Sequence, residues 1–294
     1  MFQRVTQQGS IAGAQQRLQT SQARYTAALE QATSQKRIAK PSDDPVAAGT
    51  GMAARSGQRA AEQYGRNVKD AQNWLGTIDS SLSTATDLLL RVRDLTLQAA
   101  STGTQSQESR EAIAQEIDGL RQDLLGVANT TLLGRNVFAG TSSAAQAFTG
   151  EPPVADPRTG EVLRRVGEGQ SVRVDADGAA LFGSGTGSVF ALLDNLTAEI
   201  RNGDPVSARL ADIDAKRQTL VLGRTEAGAR YASVERAASA LGESAAMLEA
   251  TRSAAEDIEL AEAALNLSSR ELSYQAALSA TSKVLNTSLM DYLS

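Results

Sequence analysis

A mainly α-helical chain is predicted, with both ends forming one long antiparallel coiled coil and a small β-rich domain inserted at the tip of a helical bundle. Three features predict it: seven-residue apolar repeats at the two termini, long stripes of alternating four- and three-residue spacing inside them, and a Pro- and Gly-rich centre. At the N-terminus Ile11, Leu18, Tyr25 and Ala32 recur every seven residues, with Ala14, Ser21 and Ala28 three positions after the first three. No proline precedes Pro41. A repeat of this period is a helical seam that needs a partner helix. At the C-terminus Ile258, Leu265 and Leu272 repeat at seven, flanked by Leu260, Leu267 and Tyr274, and apolar positions continue through Leu285, Leu289, Tyr292 and Leu293. Chain ends fray unless something ties them down. Two long apolar ends are therefore expected to hold each other and then neighbouring subunits, with Ile11, Leu18, Tyr25, Ile258, Leu265, Leu272, Leu285, Leu289, Tyr292 and Leu293 as the assembly interface.

Charge favours the pairing. Residues 1–40 carry six bases against Glu30, whereas residues 241–294 carry eight acids against three bases. Opposite signs steer unlike ends together and disfavour N-to-N pairing, although exposed ion pairs are individually weak.

The elements follow in order. The first helix stops at Lys40-Pro41-Ser42-Asp43-Asp44-Pro45, read as a hinge or turn in which Asp44 caps and Pro45 occupies the first turn of the next helix. Gly49, Gly51, Gly57 and Gly65 weaken the restart. From about 66 to 102, Leu75, Leu82, Leu89 and Thr96 interleave with Ile78, Ala85, Val92 and Ala99, with Trp74 as a core anchor. A helix over about 106–130 carries Ile113, Ile117, Leu120, Leu124 and Val127 on one stripe. Between about 135 and 188, prolines, glycines and alternating runs such as Ser171-Val172-Arg173-Val174 predict turns and short strands. Asp175-Ala176-Asp177-Gly178 reads as a hairpin turn because the further ligands of a calcium loop are absent. The glycine-rich run 183–188 reads as a flexible return loop. Asp204-Pro205 predicts a helix restart, followed by a very long stripe from Val206 to Leu248. The expected domains are 1–44 with 250–294, the terminal coiled coil; 45–140 with 190–249, the helical bundle; and 141–189, a β-rich insert removable without unfolding the bundle.

Composition excludes much. The chain of 294 residues has neither histidine nor cysteine, which removes Ser-His-Asp and Cys-His catalysis, thiolate metal sites and disulfides. No catalytic, metal or cofactor residues are expected, and no enzymatic role. A net charge of −5 argues against nucleic-acid partners. No apolar run is long enough for a membrane span. Polar residues from Arg4 to Arg17 interrupt any secretory leader. The chain is expected in the cytosol or exported with its N-terminus intact.

The stretch from Ser34 to Pro45, SQKRIAKPSDDP, resembles the segment by which bacterial flagellins and hook–filament junction proteins leave their N-terminal helix. The run from Leu133 to Thr141, LGRNVFAGT, is similar to the family's passage into its outer domain. Gly228-Ala229-Arg230-Tyr231 with Val234-Glu235 resembles the returning helix, and the tail from Asp257 through Leu267 to Ser288-Leu289-Met290-Asp291-Tyr292-Leu293 completes the match. The resemblance covers about 1–140 and 190–294. One departure stands at Ser34-Gln35, where many relatives have Ser-Gly, and it leaves the local bend open. The Ser-Leu-x-Asp-aromatic end and the modest insert look more like a junction protein than a filament flagellin. The resemblance implies a structural subunit outside the cell, exported without a cleaved signal peptide through the flagellar type III channel. It also implies a ring of identical subunits, hook-associated protein 1 and flagellin as partners, and a cytoplasmic export chaperone. A filament or minor flagellin is the alternative within the family; a secreted coiled-coil adhesin or type III tip protein is the alternative outside it.

Overall fold

The computed structural model describes residues 2–101, 106–156 and 160–293, with side-chain surroundings for residue 9 and, among the described residues, for 11–283. The chain divides into two compact units, 1–59 with 244–294, and 60–243. The helices are α1 (Phe2–Ser34), α2 (Pro45–Ser101), α3 (Gln107–Ala128), α4 (Gly178–Phe182), α5 (Val189–Asn202), α6 (Arg209–Glu256) and α7 (Leu260–Leu293). The strands are β1 (Thr131–Leu132), β2 (Arg135–Asn136), β3 (Phe148–Thr149), β4 (Val154–Ala155), β5 (Leu163–Gly167) and β6 (Gln170–Arg173), paired as three antiparallel hairpins. Both α2 and α6 contribute residues to each unit.

In the 60–243 unit the predicted stripe of α2 is the core. Leu75, Ile78, Leu82, Ala85, Leu89 and Val92 are all buried, as is Trp74. Thr96, also buried, satisfies its hydroxyl by donating to the Val92 carbonyl at 2.7 Å, so a polar side chain is tolerated inside. Ile113, Ile117 and Leu124 of α3 and Ile213, Leu220, Ala227 and Val234 of α6 join the same apolar cluster. Ser106 caps α3 by accepting from the Ser109 amide at 3.3 Å.

The centre of the chain differs from its sequence reading in three ways. Asp177-Gly178 does not turn a hairpin: Asp177 caps α4, accepting from the Ala180 amide at 3.1 Å. An added Cβ at Gly178 would lie 2.8 Å from the Phe138 carbonyl oxygen and 3.0 Å from the Phe148 ring, so glycine serves close approach there. The 183–188 run is no loose loop. It forms a short 3-10 turn in which the Gly185 amide donates to the Pro153 carbonyl at 3.0 Å and Ser188 caps α5. Asp204-Pro205 lies in the turn after α5, which Gly203 ends in the left-handed conformation, and α6 starts only at Arg209. Arg209 is fixed there by a forked pair to Glu199 at 3.0 Å and 3.2 Å.

The insert is also not a separable layer. Phe138, Phe148, Phe182 and Phe190 form one aromatic cluster with ring centroids 5.3–6.2 Å apart, and they share a core with α2, α3 and α6. Hairpin β5–β6 is tied to α2: Asn67 donates to the Arg165 carbonyl at 2.7 Å, and the Arg164 guanidinium lies 6.0 Å from the Trp74 ring centroid. The physical reason is that an isolated two-stranded hairpin has one apolar face and no second layer. It must borrow a helix.

Removing one ring from this cluster tests the shared core. Phe182→Ala is expected to destabilise the 60–243 unit by about 3–5 kcal/mol, lowering the denaturant midpoint of the helical signal itself. A helical transition unmoved by the substitution would mean that the insert packs independently.

Candidate assembly interface

In the other unit, α1 and α7 lie antiparallel. On α1 the predicted stripe faces inward: Ile11, Ala14, Leu18, Ser21, Tyr25 and Ala32 are half-buried and Ala28 is buried. The Tyr25 and Tyr274 rings stack at 5.8 Å with planes 7° apart. The α7 side of the seam is Ala263, Leu267, Tyr274, Ala277 and Thr281, where small residues alternate with Leu267 and the flat Tyr274 ring. This corrects the sequence reading of α7. Leu265 and Leu272 are 74% and 69% exposed, on the side away from α1, while Ile258 sits half-buried in the turn before α7. A helix carrying two apolar stripes can give only one of them to a single partner, and the stripe through Tyr274 is the one taken. Leu285, Leu289, Tyr292 and Leu293 belong to α7 by backbone, but their side chains lie outside the described residues.

The seam is closed where the two chain reversals meet. Lys36 bridges Asp257 in antiparallel fashion, the Arg37 amide donates to the Glu256 carbonyl at 2.7 Å, and the Ile258 amide donates to the Gln35 carbonyl at 3.1 Å. Gln35 has φ of 56°, so the bend that the resemblance left open is made by glutamine in the left-handed region, at a cost of about 1 kcal/mol. Glu256, only 6% exposed, accepts from Lys36 Nζ at 3.2 Å, pairs with Arg55, and lies 3.6 Å from Arg252 Nη1. Gly51 makes this possible, because a Cβ there would overlap the Glu256 carboxylate. Arg37 Nη2 donates to the Ala255 carbonyl at 2.8 Å.

The predicted hinge residues have assigned places. Asp43 Oδ2 accepts from the Ala39 and Lys40 amides at 3.2 Å and 2.8 Å, closing the turn around exposed Lys40, Pro41 and Ser42. Asp44 Oδ1 accepts from the Ala47 amide at 3.0 Å, capping α2, which opens with Pro45. Glu256 gave no signal in the sequence. A single glutamate after Ala254-Ala255 has no periodicity, and only tertiary contact reveals that three cations converge on it.

Charge at this junction is finely set. Burial pushes the Glu256 carboxyl upward, but Lys36 and Arg55 outweigh it and hold it below its ordinary 4.5. Asp257 and Glu249 are held down first by hydrogen bonds from Arg252, and Asp44 first by the Ala47 amide.

Comparison with known proteins fits this geometry. Residues 5–143 match the bacterial flagellin N-terminal helical region. Flagellar hook-associated protein 3 of Escherichia coli is 30% identical over 213 residues, which span 68% of this chain and 65% of that protein. The N-terminal part of the chain is similar to that of bacterial flagellins, and the chain spans about 65% of the length of the hook-associated protein it matches. Flagellin B of Vibrio anguillarum is also 30% identical, but over 120 residues, 41% of this chain and 32% of the flagellin. The crystal structure of Bacillus cereus FlgL superposes with a TM-score of 0.61 at 23% identity, covering 68% of this chain and 99% of that one. That likeness shows the fold alone.

Two predictions follow from the junction. Carboxyls held low in the fold stabilise it above their unfolded values, because at lower pH the unfolded chain binds more protons. The terminal unit is therefore expected to lose stability as pH falls below about 4.5. Glu256→Gln, which leaves Lys36, Arg55 and Arg252 facing a neutral amide, should cost about 1–3 kcal/mol, reduced because the cations are partly exposed. It should also flatten the acid limb; an unchanged pH profile in amide exchange of 30–60 and 250–280 would contradict the lock. Separately, Gln35→Gly is expected to stabilise the same unit by about 1 kcal/mol, read from the same exchange experiment.

Proposed function

We propose that this chain is a structural subunit of the bacterial flagellum that forms the junction between hook and filament. The observation that carries the reading is the extent of its likeness. Similarity to hook-associated protein 3 runs over 213 residues, whereas similarity to flagellin B stops at 120. A filament flagellin would be expected to share more with other flagellins than with a junction protein.

The terminal unit supports the same role physically. It has a seam but little core, and an outer leucine face on α7 that this chain leaves exposed. Such a segment gains most of its stability when neighbours cover it, which couples folding to assembly. The proposed partners are identical copies in a ring, hook-associated protein 1 on one side, flagellin on the other, and a cytoplasmic chaperone before export. The proposed location is outside the cell, reached without a cleaved signal peptide.

Imaging tests this. A fluorescent tag on the chain, produced from its own gene, is expected to mark one band at each hook–filament boundary, and deletion is expected to release flagellin into the medium. Signal along the whole filament would support the flagellin reading instead, and signal away from flagella would overturn both.

A further inference from the structure

The chain holds eight asparagines, and Asn202 alone is followed by glycine. That order matters chemically, because the backbone nitrogen of the next residue is the nucleophile that attacks an asparagine side-chain carbonyl, and glycine puts no Cβ in its way. The others precede Val, Trp, Thr or Leu. Those side chains hinder ring closure.

The fold fixes the glycine but not the asparagine. Gly203 ends α5 with φ of 81°, and a Cβ added there would lie 3.2 Å from Nη1 and 3.3 Å from Cζ of Arg110. Glycine suits both constraints. Asn202 is exposed, and among the described residues its side chain makes no hydrogen bond. It is also the last residue of α5, whose end is held by the Gly203 and Asp204 amides on the Ile200 and Glu199 carbonyls at 3.1 Å and 2.9 Å. Helix ends open locally at little cost, which frees both the nitrogen and the backbone torsion that the attack requires.

An unpaired cation stands beside this peptide. The guanidinium of half-buried Arg110 lies against Gly203, its Nε is buried without a partner, and among the described residues its side chain has neither a hydrogen-bond acceptor nor a carboxylate. It meets only the carbonyl end of α5, a partial negative charge. The neighbouring bases are spent: Arg201 on Glu111 and Asp118, and Arg209 on Glu199.

We infer that Asn202 is a site of spontaneous deamidation, at which the chain makes the carboxylate that Arg110 lacks. The Gly203 nitrogen gives up its proton and forms a bond to Asn202 Cγ, the Cγ–Nδ2 bond breaks, and ammonia leaves with that proton. Water then opens the cyclic imide at either carbonyl, giving aspartate or its β-linked isomer. Water is consumed, ammonia is released, and nothing is oxidised or reduced. Negative charge on the attacked carbonyl oxygen, and then on the product, develops beside a cation that has no other claim on it. The inference stands apart from the flagellar reading.

Mass spectrometry of the purified full chain tests it. After incubation of the folded protein in buffer made with heavy-oxygen water, the tryptic peptide 202–209 is expected to convert with heavy oxygen incorporated, several-fold ahead of any other asparagine. Asn202→Gln should abolish the conversion, because the longer side chain closes its ring poorly. Conversion confined to chain unfolded in urea, or no faster at 202 than elsewhere, would overturn the site. The product is tested separately, with Asn202→Asp placed in the natural chain and in an Arg110→Met background. The acid is expected to raise the denaturant midpoint of the 60–243 unit where Arg110 is present and to lower it where Arg110 is gone, since it then faces the negative helix end alone. The same shift in both backgrounds would overturn the pairing.

Discussion

A carboxylate removed from water is tolerated only where cations and hydrogen bonds replace the solvent, and Glu256 is met by Lys36, Arg55 and Arg252. Much of the terminal unit follows from that one group. Its cations come from the segment after α1 and from α2 and α6, so satisfying it draws the two chain reversals into register. Residues 35–37 then pair with 256–258 by backbone hydrogen bonds. Once that register is set, α7 must start beside the end of α1, and the Tyr25–Tyr274 stack fixes which side of α7 turns inward. The leucines at 265 and 272 are left outside as a consequence.

The two units are stabilised by different means. The 60–243 unit has a continuous apolar core, with aromatic rings, long aliphatic stripes and hairpins fused into one cluster. The terminal unit has a narrow seam, mostly half-buried, in which Ile11, Leu18, Leu267 and the two tyrosines alternate with small residues, and a charged junction. Half-buried side chains remove less apolar area from water than a closed core, so hydrophobic stabilisation there is modest. The 60–243 unit rests on its own apolar core, and the terminal unit on its seam and its charged junction.

Gln35 shows how tertiary contact overrides local preference. A left-handed backbone strains a residue other than glycine. Here the strain is accepted, and the backbone hydrogen bonds to Glu256 and Ile258 on either side hold the bend closed. A local preference of about 1 kcal/mol is outweighed by several tertiary hydrogen bonds.

The sequence by itself determined the helices and their inward stripes wherever one stripe was dominant. The run from Leu75 to Val92, the stripe of α3 and the seven-residue repeat of α1 all read correctly, because periodicity and burial coincide when a helix has a single apolar side. The cap-and-proline restart at Asp44-Pro45 was legible for the same local reason. Tertiary structure alone decided the cases in which local signals were ambiguous or silent. On α7 two stripes competed, and only the partner helix could choose between them. At Asp177-Gly178 and at 183–188 the turn chemistry was real, but packing against Phe138, Phe148 and Pro153 converted it into a helix cap and a pinned turn. The insert's dependence on the bundle could not be read locally, since an alternating run looks the same whether its apolar side faces its own layer or a distant helix. Glu256 is the limiting case: a carboxylate has no pattern, and its role exists only where the fold gathers charges around it.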